Sequence, residues 1–392
     1  VNGVASSSEV SDDGLTHTYK IRKDAKWANG DPVTANDFVY AWHRIFQKKG
    51  QYYYMFCDGI ASIVGAQEMS DKIHNEEDIT DADLDAMGVK AIDDKTLEVT
   101  TTTRVSFFDE LMSFPCFYPI NEKFCEKQGD KYGKSADSIL GNGAFVMTNW
   151  EPGSVAEFEK NDKFYAAKDV KIDKLVMKLV QEPKVAAQAF EAGETDFAPI
   201  NSDLVDKYKK DESFKNISEG FLFYVQPNLE NADLANLNVR KAIRAALDKQ
   251  RVISNSYGNM YKTANFPLNA GNYLIDSQDE NYYNIDEKNS LLTSSGWELK
   301  NGVWQRIENY RTKQLELNLV VRANDGTRRA AAEDIKNQLN EQGILVNIIY
   351  ADDSSYNSYL NNMNYLCYKI LVHHNFQGIL LSQHFLLLNF LL

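Results

Sequence analysis

Towards its end the chain reads strand, helix, strand. Residues 315–321 (Leu315-Glu316-Leu317-Asn318-Leu319-Val320-Val321) read as a strand, 326–342 as a helix stopped by Gly343, and 345–350 as a second strand. A βαβ unit of this kind implies local parallel pairing with a right-handed crossover. The class is therefore α/β, mixed in the first third of the chain.

The earlier segments are consistent with a mixed class. Leu15, His17, Tyr19 and Ile21 alternate with Thr16, Thr18 and Lys20, the period of a half-buried strand. After a polar loop at 26–32, Thr34 and Asp37 have the spacing of a capping box. Phe38, Ala41, Trp42, Ile45 and Phe46 then form one apolar stripe on the helix that follows. Residues 89–92 and 97–100 read as strands around Asp93-Asp94-Lys95, and 144–150 with 154–159 as a hairpin across Pro152-Gly153. Residues 172–180 read as a strand, Pro183 suits the first turn of a helix, and Gly193 stops it. Residues 238–253, with Val239, Ile243, Ala246 and Leu247 on one side, predict a single amphipathic helix. No internal repeat is evident.

A length of 392 residues suits two or three domains, and 43% apolar with 25% charged residues is the composition of a soluble globular protein. The formal charge of −14 excludes a nucleic-acid binder, which needs a basic footprint on phosphates. Tyrosines number 21 and phenylalanines 20, which suits either a recognition surface or core packing. Four cysteines, Cys57, Cys116, Cys125 and Cys367, are too few for a disulfide scaffold and form no CxxC pair. Cys116 and Cys125 could bridge, but isolated buried thiols are the expectation. Both ends read as incomplete: the chain opens at Val1, and residues 361–392 hold no Asp or Glu. The last run, broken by Ser382, Gln383, His384 and Asn389, reads as a truncated or out-of-frame end and not as a membrane span.

No nucleophile elbow, HExxH pair or phosphate loop is present. Gly141-Asn142-Gly143 leads into a strand, so a tight turn is expected there and not a phosphate cradle. His373 and His374 are adjacent and point apart, which disfavours a metal site. Asp81, Asp83 and Asp85 read as a solvated loop without calcium-loop spacing. Paired catalytic carboxylates need only spatial proximity, and nothing favours a particular pair. No metal and no cofactor is expected.

Residues 20–44, KIRKDAKWANGDPVTANDFVYAWHR, resemble the signature of the oligopeptide-binding proteins of bacterial ABC importers, within the larger peptide- and nickel-binding class. Further matches follow in order: Gly88 to Val99, Gly141-Asn142-Gly143-Ala144-Phe145 with Trp150, Glu159-Lys160-Asn161 with Tyr165, Gly193-Glu194-Thr195-Asp196, and Val239-Arg240-Lys241-Ala242-Ile243 with Ala246-Leu247-Asp248-Lys249. The resemblance spans roughly residues 10 to 370. It implies an α/β, bilobed periplasmic-binding-protein-like fold with mixed sheets and an extra domain, here incomplete. The implied partition is 1–117 as an accessory mixed domain, 118–228 as part of the first lobe, and 229–392 as a truncated second lobe with an atypical apolar tail.

The resemblance also implies a function. Such a protein captures an oligopeptide between two lobes, pairing with its main chain as an added strand, and delivers it to ABC permease subunits. It implies an extracytoplasmic monomer, periplasmic or lipid-anchored, that is not an enzyme. Tyr52 and Tyr53 match a segment that supplies a Tyr to the peptide. Asn201 matches a loop near the ligand, and Phe223, Tyr224, Gln226 and Asn228 match the crossover strand, with Tyr224 the leading candidate. Lys369 and Asn375 fall in the strand that hydrogen-bonds the peptide, where Asn375 stands in place of an Asp that anchors the peptide amine. An amide lacks the charge to pair with an ammonium. The alternatives are another solute, such as a dipeptide, nickel chelate or sugar, a carboxylate hydrolase, and a non-functional fragment.

Overall fold

A computed structural model describes residues 3–216, 222–264, 282–323, 326–361, 366–371 and 385–387. The chain forms two compact units and passes from one to the other between Val180 and Gln181.

The first unit opens with β1 (Ala5–Val10) and β2 (Thr16–Ile21). The alternation expected for β2 is realised: His17, Tyr19 and Ile21 are buried while Lys20 is exposed. Helix α1 (Ala35–Gln47) starts at the expected capping box, with the Thr34 and Asp37 side chains each bonding the other's main chain. The Asp37 carboxylate also accepts from Trp27 Nε1 at 3.0 Å, so the loop before the helix is fastened to its first turn. Burial pushes this carboxyl above its usual range, opposed by its hydrogen bonds from Thr34 and Trp27. Trp42, buried on the same helix, donates to the Phe117 carbonyl at 3.1 Å and packs edge-on against Phe56 and Phe117.

Helix α2 (Ala66–His74) and the short α3 (Asp81–Asp85) follow. The run expected to be a solvated acidic loop is therefore helical. Thr80 caps it, and the Lys72 ammonium, 2.7 Å from Asp83, holds that carboxyl down at about 2. A side-chain cap, invisible to hydrophobic periodicity, made the difference. Strands β3 (Val89–Asp93) and β4 (Thr96–Thr100) complete an antiparallel sheet in the order β1-β2-β4-β3. Helices α4 (Phe108–Leu111) and α5 (Glu122–Gln128) lead to the antiparallel meander β5 (Phe145–Glu151), β6 (Val155–Lys160) and β7 (Lys174–Lys178). Gly141 and Gly143, expected in a tight turn, have no positive φ. Their carbonyls instead accept from Ala28 N at 2.9 Å and Asn161 Nδ2 at 2.8 Å, which pins this stretch between the Trp27 loop and the end of β6.

The second unit begins with α6 (Pro183–Glu191) and α7 (Ser202–Tyr208), then β8 (Leu222–Gln226) and α8 (Ala232–Ala235). The single helix expected at 238–253 is two, α9 (Leu237–Ala245) and α10 (Lys249–Tyr257). Asp248 breaks it: its side chain caps α10 by accepting from Gln250 N and Arg251 N, and its own amide donates to Gln338 Oε1 at 2.8 Å. The apolar stripe survives the break, with Val239, Ile243, Ala246, Leu247, Val252 and Ile253 all buried.

After β9 (Lys262–Ala264) and α11 (Ile285–Ser294), strands β10 (Glu298–Lys300), β11 (Val303–Glu308) and β12 (Arg311–Gln314) form a small antiparallel sheet. The predicted βαβ unit is β13 (Glu316–Arg322), α12 (Gly326–Glu341) and β14 (Leu345–Ala351), with Glu316 to Arg322 in parallel register with Leu345 to Ala351. Gly343 ends α12 at φ 79, and a Cβ there would sit 2.8 Å from the Gly302 carbonyl, so both conformation and space require glycine. Helix α13 (Asp353–Asn361), β15 (Leu366–Leu371) and β16 (Phe385–Leu387) complete the described elements. The large sheet runs β14-β13-β15-β8-β16-β9 and is mixed, because β15 and β8 are antiparallel and the other neighbours parallel. Among the described residues no helix is long and apolar enough to cross a membrane.

The Trp27–Asp37–Thr34 joint gives a direct test of this packing. Replacing Asp37 by Ala strands the buried Trp27 N–H and the Thr34 amide, at a cost of about 2–4 kcal/mol. Asp37→Asn keeps one acceptor oxygen and is expected to cost less than half of that. Urea unfolding of both variants reads the difference, and equal losses would refute the account.

Candidate functional site

Four sequence candidates of the second unit lie on two neighbouring strands, Phe223, Tyr224 and Gln226 on β8 and Lys369 on β15. Strand periodicity sends Phe223 and Val225 to one face of β8 and Tyr224 and Gln226 to the other. Val225 is in the core beside α9 and α10, and Phe223 packs against Tyr257 and meets Tyr261 edge-on at 5.5 Å. Phe223 is therefore partly a core residue. On the opposite face Tyr224 is buried, which pushes its hydroxyl above the usual tyrosine range, and Gln226 is half-buried.

The antiparallel register sets Lys369 opposite Tyr224 and Cys367 opposite Gln226. On its other side β15 is in register with β13 only at Leu319–Leu366 and Val320–Cys367. From position 368 to 371 β15 thus pairs with β8 on one side and has no registered partner strand on the other among the described residues. Such an edge offers N–H and C=O groups in the pattern that an extended chain can pair with. Asn375 lies outside the described residues.

Asn228 serves the turn after β8: its side chain accepts from Glu230 N at 2.9 Å, and its carbonyl accepts from Asn231 N. Asn201 precedes α7 without capping it. Its Nδ2 donates to Asp203, while its Oδ1 is buried with no partner among the described residues, an acceptor left open. An unsatisfied buried acceptor of this kind is costly.

In the first unit Tyr52 and Tyr53 differ. Tyr52 precedes and Tyr53 opens a 3-10 turn, Tyr53–Phe56. Tyr53 faces inward against Phe46 and His74. Tyr52 is 41% exposed and meets Phe114 edge-on at 5.5 Å. Tyr54 and Tyr118 are exposed as well, so Tyr52, Tyr54, Phe114 and Tyr118 give this unit an aromatic surface. Sequence reasoning missed Phe114 and Tyr118, which come from a distant stretch; the aromatic residues bracketing Pro115 were the only signal.

An open groove of about 760 Å³ in the second unit is lined by Asn231, Asp233, Lys313, Glu316 and Asn318 among others. Asp233 in its wall is buried and already paired with Arg306 at 2.8 Å and Lys313 at 3.0 Å. Cys57, Cys116 and Cys125 are free thiols, so Cys116 and Cys125 are not bridged. Burial pushes the Cys116 thiol up to about 12, far from a reactive thiolate. His373 and His374 lie outside the described residues, and among the described residues no cluster of His, Cys, Asp or Glu could hold a metal ion.

The chain is 34% identical over 258 residues to the oligopeptide-binding protein OppA of Bacillus subtilis, covering 64% of this chain and 46% of that protein. It is 31% identical over 276 residues to the dipeptide-binding protein DppE of the same organism, covering 70% of this chain and 49% of that one. The chain thus spans about half the length of these relatives. Among solved structures, Listeria monocytogenes OppA bound to peptide superposes with a TM-score of 0.72 at 26% identity, covering 94% of this chain and 72% of that one. This neighbour supports the bilobed binding-protein architecture expected for the chain. The family model described as bacterial extracellular solute-binding proteins, family 5 (middle region), matches residues 1–380, and the chain belongs to that family.

Proposed function

We propose that this protein is the substrate-binding component of an ABC importer, which captures oligopeptides outside the cytoplasm and hands them intact to membrane permease subunits. The unregistered edge of β15 at 368–371, opposite Leu222 to Val225 of β8, carries the reading. A peptide pairing there is held through its main chain, so its affinity is largely independent of its sequence. Tyr224 and Gln226 on β8 and the open Asn201 acceptor supply side-chain contacts from the same unit. The partition into an accessory domain to residue 117, a first lobe to 228 and a second lobe beyond belongs to the same proposal, as do a monomeric state and an extracytoplasmic location. Membership in an extracellular solute-binding family supports binding without turnover. The similarity to DppE leaves ligand length to experiment.

Native mass spectrometry of the purified protein, followed by denaturing release, is expected to yield a ladder of mixed peptides. A ladder limited to two-residue species would select the dipeptide reading, and a bare chain or a single non-peptide solute would refute peptide capture. A peptide that returned hydrolysed would point to the enzyme reading.

Lys369, at the register position opposite Tyr224, is a basic group suited to a ligand carboxylate. Lys369→Ala is expected to weaken binding of a free-acid peptide by about tenfold, on the scale of one charge-assisted hydrogen bond, and to leave its C-terminal amide unchanged. Tyr224→Phe keeps the buried ring and is expected to lower affinity about threefold to tenfold with an unchanged melting temperature. Titration calorimetry with the acid and amide forms reads both, and an equal loss for both forms in Lys369→Ala would remove that residue from carboxylate recognition.

A further inference from the structure

The first unit buries an ionisable ring that peptide capture does not use. His17 lies on β2 with 4% of its surface exposed, and neither ring nitrogen has a hydrogen-bond partner. Its ring stacks on Phe108 of α4 at 4.2 Å between centroids and 27° between planes. Opposite it on β1 is Val10, and on β4 Val99. The neighbouring carboxylates Glu9 and Glu98 pair with Thr18, whose side chain points to the other face. The charged group that acts on the ring is Asp109 of α4, and its two oxygens already accept from Tyr19 Oη at 2.6 Å and Ser8 Oγ at 3.0 Å.

We infer that His17 is an acid-sensitive anchor: its neutral ring seals the joint between the β1-β2-β4-β3 sheet and α4, and its protonation opens that joint. A neutral imidazole stacked on Phe108 behaves as an aromatic core residue. An imidazolium in the same place has two N–H donors without acceptors and a charge without a partner. The nearest relief is Asp109, whose recruitment would take it from Tyr19 and Ser8, the two bonds that tie α4 to β2 and β1. Protonation therefore works against the joint either by leaving a bare charge in the core or by withdrawing its polar clasp.

Burial pushes the His17 imidazole below its ordinary value of 6.5, and Asp109 only partly offsets this. The unfolded chain takes up the proton near 6.5 and the folded unit only at lower pH. Between those two values the unfolded state binds more protons, so stability falls as pH falls; above 6.5 the ring contributes no pH dependence. His43 on α1 is a second candidate of this kind, with a buried, unpaired Nε2, a value lowered by burial and Asp85 opposing the shift. The readout must therefore be local to β2 and α4.

Hydrogen exchange of the whole protein at pH 7 and pH 5, corrected for the intrinsic chemical rates, provides that readout. The amides of Thr18, Tyr19 and Leu111 are expected to lose about tenfold protection at pH 5 relative to those of β13 in the other unit. The loss should vanish in His17→Phe, which keeps the stack, and persist in His43→Gln. Equal losses in the wild type and His17→Phe, or persistence only when His43 is intact, would overturn the inference. If His17→Phe fails to fold, the wild-type comparison decides alone, since an unselective loss or none at β2 and α4 is incompatible with the anchor.

Discussion

Val225 and Phe223 leave β8 on the side where α9 and α10 bury Val239, Ile243, Val252 and Ile253. The two-residue period that commits them to the core also commits Tyr224 and Gln226 to the opposite face. A one-residue slip would exchange the two sets and bury Gln226 where Val225 belongs, so the core fixes which side chains are available for recognition. The antiparallel register with β15 then fixes what stands opposite them, Lys369 beside Tyr224. Much of what the second unit can offer a ligand follows from hydrophobic burial on the far side of one strand.

The parts of the fold readable in the sequence were those set by hydrophobic period. The β13-α12-β14 unit and β2 show the expected repeat of buried and exposed positions, and the two expected hairpins, β3–β4 and β5–β6, formed as well. Where a polar side chain competes for the backbone, period alone misled. Asp248 lies within an unbroken apolar stripe yet splits α9 from α10, and Thr80 turns an acidic run into α3. The candidate residues fared unevenly for a related reason. Position along β8 was legible, whereas the role of Asn228 in its turn, the inward Tyr53 and the aromatic company of Tyr52 depend on contacts with residues far away in the chain.

Charged groups inside the second unit hold the architecture in place. Asp233 joins α8 to the small sheet through Arg306 and Lys313, and Arg306 also lies over the Trp297 ring at 4.5 Å. Lys288, buried on α11, donates to the Gln342 carbonyl and side chain at 3.2 Å and so ties that helix to the end of α12. Pairs and amide oxygens of this kind offset the cost of burying charge only where geometry is well matched, and removing one partner leaves the other stranded. Arg306 and Lys313 thereby fasten β11 and β12 to α8.

The first unit follows the same rule in nearly every buried polar group. Trp27 gives its N–H to Asp37, Trp42 to the Phe117 carbonyl, Asn161 to the Gly143 carbonyl and Lys95 to the carbonyls of Val33 and Arg22. Each bond crosses between segments that the chain brings together from a distance, and each satisfies a group that burial would otherwise penalise. His17 breaks the pattern: it is as deeply buried as these residues and has no bond at either nitrogen. Its place in the core therefore depends on the ring staying neutral. That makes the β2–α4 joint a point in this unit where a change of one proton, with no change of sequence, alters the balance of packing.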